Sequence, residues 1–280
     1  MRNLPDDLKT QVLAALREDV GSGDVTAQLI PLSQQVQGRV ITREDAVLCG
    51  TAWVEETFRE LDPSVRLTWQ AQDGAAVKTG DTLFEIDGRA RPVLTGERTA
   101  LNFLQLLSGT ATAARRFATA VEGTGATIID TRKTVPGLRS AQKYAVRCGG
   151  ASNHRMGLYD MVLVKENHIA AAGSLAAAVM IARRAAPELK IEVEVESLAE
   201  LGEAFQAGPD IIMLDEFSLA DMRAAVALNR SRGHRIKLEA SGSVSLESVR
   251  TIAETGVDYI SIGAITKNVR AIDLSMRLTL

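Results

Sequence analysis

Strand-like segments alternate with helical segments in the second half of the chain, and this alternation limits the fold more than any other feature. The strand-like segments are 128–130, 161–165, 191–196, 211–216, 236–241 and 259–264, and helical patterns occupy 174–186, 197–207, 219–232 and 245–255. Units of this kind build parallel sheets. Polar residues recur at the C-terminal end of nearly every strand, so we expect a closed α/β barrel rather than a doubly wound sheet.

The first part of the chain has a different pattern. Residues 36–94 alternate apolar and polar side chains and carry Asp-Gly and Gly turns, which is typical of antiparallel strands. Helical patterns occupy 4–18, 51–61 and 95–122. We therefore expect a small α+β domain before the barrel.

A basic stretch lies inside an acidic protein. Residues 130–168 contain seven lysines and arginines against three acids, whereas the whole chain has a formal net charge of −3. This contrast favours a pocket for a small polyanion over a nucleic-acid surface. Neither GxGxxG nor GxxxxGK[ST] occurs, so dinucleotide and P-loop functions lack their main support.

The remaining composition predicts a cytoplasmic protein. Cys49 and Cys148 form neither a disulfide framework nor a CxxC metal motif. The N-terminus lacks the pattern of a secretory signal, and no apolar run is long enough to span a bilayer. We expect no membrane partner.

The strand ends carry the candidate chemistry. They supply Asp130, Arg132, Lys133, Lys165, Glu194 or Glu196, Asp215, Glu239, Ser241 and Gly263. Because side chains alternate along a strand, Glu192, Glu194 and Glu196 share one face, which we expect to be the barrel interior or its mouth. Buried carboxylates need partners, and Lys133, Lys165 or a divalent metal are the candidates. An internal salt-bridge network without a catalytic role is the alternative.

Arginines and small-residue turns suggest the ligand groups. Arg98, Arg132, His154 and Arg155 would make a cation-rich pocket, since arginine forks bind carboxylate or phosphate. Arg98, near the start of its predicted helix, opposes the helix dipole there. For Arg139, Lys143 and Arg147, ligand contacts and solvated helix positions are equally consistent with the sequence. Ser241-Gly242-Ser243 and Ile262-Gly263-Ala264 follow the last two strands and would lead into helix N-termini as a phosphate cup.

Lys165 has two interpretations. A lysine at a strand end can form a Schiff base with a carbonyl substrate, which requires a desolvated amine of lowered pKa. Nearby carboxylates favour the charged ammonium instead. We therefore expect an electrostatic role.

Several blocks of sequence together resemble quinolinate phosphoribosyltransferase. They are DTRKTVPGLR at 130–139, CGGASNHRMGL at 148–158, VKENHI at 164–169, VEVE at 193–196, IMLD at 212–215 and SIGA at 261–264. Two further blocks are EDVGSGDVTA at 18–27 and TGERTALNFLQLLSG at 95–109. The likeness covers almost the whole chain.

The resemblance implies an architecture and a reaction. An N-terminal α/β sandwich, residues 1–105 completed by 267–280, would pack on an open or irregular α/β barrel, residues 106–266. The active unit would be a homodimer, with higher assembly left open. The implied reaction transfers phosphoribosyl from phosphoribosyl pyrophosphate to quinolinate with decarboxylation. Its products are nicotinate mononucleotide, pyrophosphate and CO2, in de novo NAD biosynthesis.

The resemblance also implies roles for individual residues. Arg98 would reach the site of the other subunit, and quinolinate would be held by Arg132, His154, Arg155 and Lys165. Phosphoribosyl pyrophosphate would be held by Lys133, Glu194, Asp215 and the turns Ser241-Gly242-Ser243 and Ile262-Gly263-Ala264. Lys133, Lys165, Glu194 and Asp215 would be the catalytic groups, and Glu194 and Asp215 the candidate ligands of Mg2+. Two positions, Ser243 and Glu216, depart from the family pattern.

Other functions stay open at this point. A related family on the same fold, associated with molybdate transport, would have another acceptor. A nicotinate-specific transferase would need to bind one carboxylate, for which four cations are an excess. A non-catalytic sensor would bind the phosphoribosyl donor without turnover. The second class of phosphoribosyltransferase is disfavoured, because Asp215-Glu216 is not followed by its Thr-Gly.

Overall fold

The structure is a computed structural model that describes residues 3–233 and 235–279. Two units compose it. The first contains residues 3–115, 134–150 and 265–279, and the second contains residues 116–133 and 151–264. Residues 134–150 belong to the first unit, where the ring of Tyr144 packs on Trp53 with ring centroids 5.5 Å apart. The domain boundaries expected from the sequence stay a prediction.

Ten α-helices are named along the described chain. They are α1 Leu8–Val20, α2 Thr51–Leu61, α3 Ala90–Ala120, α4 Arg139–Cys148, α5 Glu166–Ala172, α6 Leu175–Ala185, α7 Leu198–Ala207, α8 Leu219–Ser231, α9 Val249–Ala253 and α10 Ala264–Lys267. In the part that the structure describes, no helix combines the length and the apolar character needed to cross a membrane.

Twelve strands accompany these helices. They are β1 Gln35–Thr42, β2 Ala46–Val47, β3 Arg66–Trp69, β4 Ala76–Val77, β5 Thr82–Arg89, β6 Thr127–Ile129, β7 Val162–Val164, β8 Ile191–Val195, β9 Ile211–Asp215, β10 Lys237–Ser241, β11 Tyr259–Ser261 and β12 Leu274–Thr279.

The first unit contains the expected antiparallel sheet. Its strand order is β12-β1-β5-β3, and β12 pairs with β1 from Gln37↔Thr279 to Thr42↔Leu274. Alternation places Val36, Val40 and Phe84 in the buried core. The polar residues between them face outward, which is why the sequence alternates in this region.

The long helix α3 begins at Ala90, five residues before the start predicted at residue 95. Pro92 lies in the first turn, where its missing N–H leaves no helical hydrogen bond unmade, so the helix tolerates it. Arg98 therefore lies in the third turn, exposed to solvent. The interpretation that Arg98 opposes the helix dipole is wrong, because that effect fades beyond the first turn.

The second unit is built on a parallel sheet with the strand order β6-β11-β10-β9-β8-β7. The closed barrel expected from the strand pattern is wrong, since no pairing joins β6 to β7 among the described residues. The open α/β architecture that the family resemblance implies is confirmed. Residues 130–161 contain α4 and loops but no named strand, and Ser152 makes an isolated parallel bridge to Ile129 at the β6 edge.

Replacement by alanine should change the stability in opposite directions at Gly109 and Gly202. A methyl group at Gly109 on α3 would collide with the backbone carbonyl oxygen of Arg270, whereas one at Gly202 on α7 meets no described atom within 4 Å. We expect Gly109→Ala to destabilise the protein by about 1–3 kcal/mol, because relieving the collision requires a shift of the backbone at Arg270. Gly202→Ala should stabilise it by roughly 0.4–1 kcal/mol through the unfolded chain. Urea unfolding measures both, and equal stability of the two variants would contradict the packing described here.

Candidate active site

The C-terminal ends of the parallel strands open into a cavity of about 410 Å³ in the second unit. Its lining residues are Thr131, Arg132, Lys133, His154, Arg155, Leu163, Lys165, Glu194, Met213, Asp215, Glu239, Ser241 and Ser261. Nine of the candidate residues named from the sequence are among them: Arg132, Lys133, His154, Arg155, Lys165, Glu194, Asp215, Glu239 and Ser241. Cavities of this size and polarity hold small ligands.

The loop after β6 brings Arg132 into the cavity with an unsatisfied donor. The Nε atom of Arg132 is buried and makes no hydrogen bond with the described residues. Buried donors are nearly always satisfied, and an orphaned one is costly. An anionic ligand in the cavity would supply the missing acceptor.

Asp130 fixes the loop that carries His154 and Arg155. Its carboxylate is fully buried and accepts hydrogen bonds from the His154 backbone N–H at 2.9 Å and from Asn153 Nδ2 at 2.7 Å. Arg155, one residue on, donates from Nη1 to the Met161 carbonyl at 3.2 Å. Asp130 is thus a clamp for this loop, a function that its position at a strand end did not reveal.

Arg155 and Arg132 lie close enough to repel each other. Burial lowers the pKa of Arg155, and the charge of Arg132 lowers it further. Two guanidinium groups held together in a partly buried cavity are stabilised when an anion binds between them. This pair therefore favours a ligand with carboxylate or phosphate groups.

Lys165 forms an ion pair with Glu194 across the neighbouring strands β7 and β8. Its Nζ donates to Glu194 Oε2 at 2.5 Å. Lys165 also begins helix α5, where its backbone N–H donates to Nδ1 of His168 at 3.0 Å. Of the partners proposed for the strand acids, Lys165 is the one that Glu194 binds.

Glu194 and Asp215, the acids expected to hold magnesium, both line the cavity. Ser241 Oγ donates to Asp215 Oδ1 at 2.8 Å, across the register pair that joins β10 to β9. The other oxygen of each carboxylate accepts no hydrogen bond from the described residues. Magnesium is commonly held by one or two carboxylates together with substrate phosphates, so this donor set suits it.

Only one of the two small-residue turns leads directly into a helix, as expected. Ser241-Gly242-Ser243 lines a neighbouring cavity of about 390 Å³ and does not lead into a helix, because α9 begins only at Val249. The prediction that a helix begins at this turn is therefore wrong. A short connection precedes α9, and within it Ser245 and Ser248 hydrogen-bond each other. The other turn, Ile262-Gly263-Ala264, runs directly into α10.

Close packing at both turns explains their glycines. A methyl group at Gly263 would lie 3.1 Å from Cδ of Lys133, so Lys133 packs on this turn. Gly242 has φ of 138° and lies under the carboxylate of Glu216, which itself has φ of 51°. A glutamate in the left-handed region is uncommon and costly. Glu216 is tied to the turn by hydrogen bonds: its backbone N–H donates to the Ser241 carbonyl at 3.0 Å, and Ser243 Oγ donates to its Oε1 at 3.5 Å.

Two further acids are buried at the cavity: Glu239 lines it, and Glu192 contacts His154 of the lining. Glu192 and Glu239 are both 0% exposed, while Glu196 is exposed beyond the end of β8. Burial raises the pKa of Glu192 to about 7. Burial, followed by the charge of Glu192, raises the pKa of Glu239 well above its usual range. The sequence placed Glu239 at a strand end without giving it a role, and it did not single out Thr131, Leu163, Met213 or Ser261.

Several predicted residues do not line this cavity. Arg98 lies on α3 in the first unit, and Gly242, Ser243, Ile262, Gly263 and Ala264 are absent from the lining. Lys143, for which a solvated position was one option, is fully buried in α4. Helix burial could not be read there because charged residues recur at 139, 143 and 147 along α4.

Fold and cavity define an α/β protein with a polyanion-binding site at the carboxyl edge of an open parallel sheet. The chain belongs to the quinolinate phosphoribosyl transferase family. Residues 24–108 match the N-terminal domain of that family and residues 110–277 match its C-terminal domain.

Individual relatives agree with this membership. The chain is 42% identical over 280 residues to nicotinate-nucleotide pyrophosphorylase [carboxylating] of Mycobacterium leprae, covering 98% of both. It is also 42% identical over 264 residues to a probable enzyme of the same name from Bacillus subtilis, covering 94% of this chain and 90% of that one. The structure of nicotinate-nucleotide pyrophosphorylase from Francisella tularensis superposes with a TM-score of 0.95 at 45% identity, covering 99% and 98%.

Proposed function

We propose that this protein is a decarboxylating quinolinate phosphoribosyltransferase, a pentosyltransferase of de novo NAD biosynthesis. It would convert quinolinate and phosphoribosyl pyrophosphate into nicotinate mononucleotide, pyrophosphate and CO2. The observation that carries the proposal is the convergence of Arg132, Arg155 and Lys165 on one cavity, in a chain whose relatives bear the corresponding names. We also propose a cytoplasmic location.

Quinolinate carries two adjacent carboxylates, which suit the cations of the cavity. Arg132 offers the unsatisfied buried Nε–H, and Arg155 offers a second guanidinium beside it. His154 and Lys165 complete the acceptor site. Arginine forks bind carboxylates bidentately, which fixes the orientation of the pyridine ring.

The donor would lie toward the carboxyl ends of β9 and β11. Lys133, packed on Gly263, and the turns Ser241-Gly242-Ser243 and Ile262-Gly263-Ala264 would receive its phosphates. Glu194 and Asp215 would hold Mg2+ or the ribose hydroxyls. When bound, Mg2+ supplies positive charge that neutralises the departing pyrophosphate.

The site would promote the transfer by aligning the two substrates and excluding water from them. The pyridine nitrogen attacks the anomeric carbon as the bond to pyrophosphate breaks, and positive charge develops on the ribose ring. Lys133 and Lys165 stabilise the leaving charge, while Glu194 and Asp215 stabilise the ribose cation. After the nitrogen becomes quaternary, the ring cation accepts the electron pair of the C2–carboxylate bond, and CO2 leaves. A proton then replaces it at C2.

We propose that the active unit is a homodimer in which Arg98 reaches the neighbouring site. Arg98→Ala and Lys165→Ala would each be nearly inactive alone. Mixing them in equal amounts should restore about a quarter of wild-type activity, because half of the dimers would carry one intact site. If Arg98 serves its own chain, the mixture stays inactive. Co-purification of an untagged Lys165→Ala chain with an affinity-tagged Arg98→Ala chain confirms that subunits exchanged.

A comparison of acceptors tests the proposed specificity. Quinolinate should be consumed with magnesium and phosphoribosyl pyrophosphate, whereas nicotinate, with one carboxylate, should react at least about tenfold less efficiently through its lost arginine contact. Preference for nicotinate would overturn the assignment of the acceptor. Binding of the donor with no turnover on any pyridine carboxylate would support a sensor instead.

A further inference from the structure

The base of the cavity contains two buried carboxylates for which the proposed reaction has no use. Glu192 lies on β8 and Glu239 on β10, and β9 runs between these strands. In the sheet register, Glu239 pairs with Met213 of β9, and Met213 pairs with Glu194 of β8. The side chains of Glu239 and Glu194 therefore lie on the same face of the sheet. Glu192, two residues before Glu194, shares that face one step deeper.

Both carboxylates meet a single ring atom of His154. Nε2 of His154 lies 2.8 Å from Oε2 of Glu192 and 3.5 Å from Oε2 of Glu239. Oε1 of Glu192 and both oxygens of Glu239 lack a hydrogen bond of good geometry among the described residues, although Ser261 lies near enough to Glu239 to affect its pKa. His154 therefore hydrogen-bonds Glu192, while Glu239 lies within ion-pair distance of the same ring nitrogen without a hydrogen bond to it.

The backbone of His154 is held independently. Its N–H donates to Asp130 Oδ1 at 2.9 Å, and its side chain is only 8% exposed. Because the ring of His154 is held at Nε2 and its backbone is held at the N–H, the imidazole has one orientation in the cavity wall. The cost of burying two acids is hard to explain by stability, because apolar residues of similar size usually serve a core as well or better.

We propose that Glu192 and Glu239 are positioning residues for the acceptor: they hold the imidazole of His154 in the orientation that receives a carboxylate of the pyridine ligand. This role rests on the proposed function, since His154 acts there on quinolinate. It adds a layer beneath the binding residues, comparable to the carboxylates that orient histidines in metal sites. The donor site should not depend on it.

A double-mutant cycle tests this role. Glu192→Gln and Glu239→Gln keep the side-chain volume, and each is made in the wild-type protein and in His154→Ala. Titration calorimetry measures the dissociation constants of quinolinate and, separately, of phosphoribosyl pyrophosphate with magnesium. We expect Glu192→Gln to weaken quinolinate about fivefold or more, with the donor changed less than about twofold. In the His154→Ala background the same substitution should change quinolinate binding less than about twofold.

Two results would overturn the proposal. Equal losses in both backgrounds would show that the acids do not act through His154, and equal losses for donor and acceptor would indicate a general structural role. Glu203→Gln, an exposed change on α7, controls for loss of a negative charge. If Glu192→Gln fails to fold, the double-mutant cycle is measured with Glu239→Gln, whose Oε2 lies 3.5 Å from Nε2 of His154.

A ligand-free measurement separates this proposal from the proposed function. Proton NMR of the wild-type protein should show a downfield hydrogen-bonded signal that disappears in His154→Ala and shifts in Glu192→Gln. If that signal is present but quinolinate does not bind, the acceptor is wrong while the clamp on His154 stands. If the signal is absent and the cycle shows no coupling, the proposal fails.

Discussion

Arg132→Ala should raise the quinolinate KM about tenfold or more, because loss of a bidentate arginine contact costs about 1.5–3 kcal/mol. Its Nε–H is the buried donor that has no partner among the described residues, so the ligand supplies the bond that the folded protein lacks. The KM of phosphoribosyl pyrophosphate should change little. Initial rates with each substrate varied in turn measure both effects.

Arg132→Lys separates charge from geometry at this position. Lysine keeps the positive charge but cannot form the planar fork, so we expect a KM between those of wild type and Arg132→Ala. Arg223→Ala removes an exposed arginine on α8 and should leave the kinetics unchanged. An Arg132→Ala enzyme with wild-type kinetics would remove this residue from the acceptor site.

Lys165→Ala should lower kcat by about 10²–10³, the usual effect of losing one group that stabilises charge in a transition state. The ammonium lies 2.5 Å from Glu194 Oε2, and Glu194 is only 9% exposed. Its removal therefore also leaves a nearly buried carboxylate without its cation. Single-turnover rates separate this loss from any change in binding.

Lys165→Arg distinguishes the electrostatic role from covalent catalysis. A guanidinium still pairs with Glu194, so an electrostatic role predicts partial activity in Lys165→Arg. A Schiff-base mechanism requires the amine and predicts that Lys165→Arg is as inactive as Lys165→Ala, with borohydride trapping of a carbonyl substrate on the wild type. Lys190→Ala, which removes an exposed lysine, should match the wild type.

The order of strands and helices could be predicted because its signals are local. Predicted strands at 191–196 and 211–216 correspond to β8 and β9, and serine caps such as Ser197 begin the helices that follow. Closure of the sheet depends on whether distant strands pair. No local pattern in the sequence indicates whether distant strands pair, so the prediction of a closed barrel was wrong.

The candidate site was predictable where a side chain follows a strand directly. Arg132 and Lys165 are examples, since the carboxyl ends of parallel strands share one edge. The pairing of Glu192 and Glu239 with His154 joins three distant parts of the chain, and Asp130 acts on a loop 24 residues away. Such contacts arise from tertiary packing and leave no spacing in the sequence.

The most direct test follows both products of one reaction. The purified protein is incubated with magnesium, phosphoribosyl pyrophosphate and quinolinate labelled in the 2-carboxylate, and nicotinate mononucleotide and labelled CO2 are measured together. We predict that both form in equal amounts and that no labelled CO2 appears without the donor, since only the quaternary ring accepts the electrons. Release of CO2 without the donor, or no nucleotide with both substrates bound, would contradict the proposed reaction.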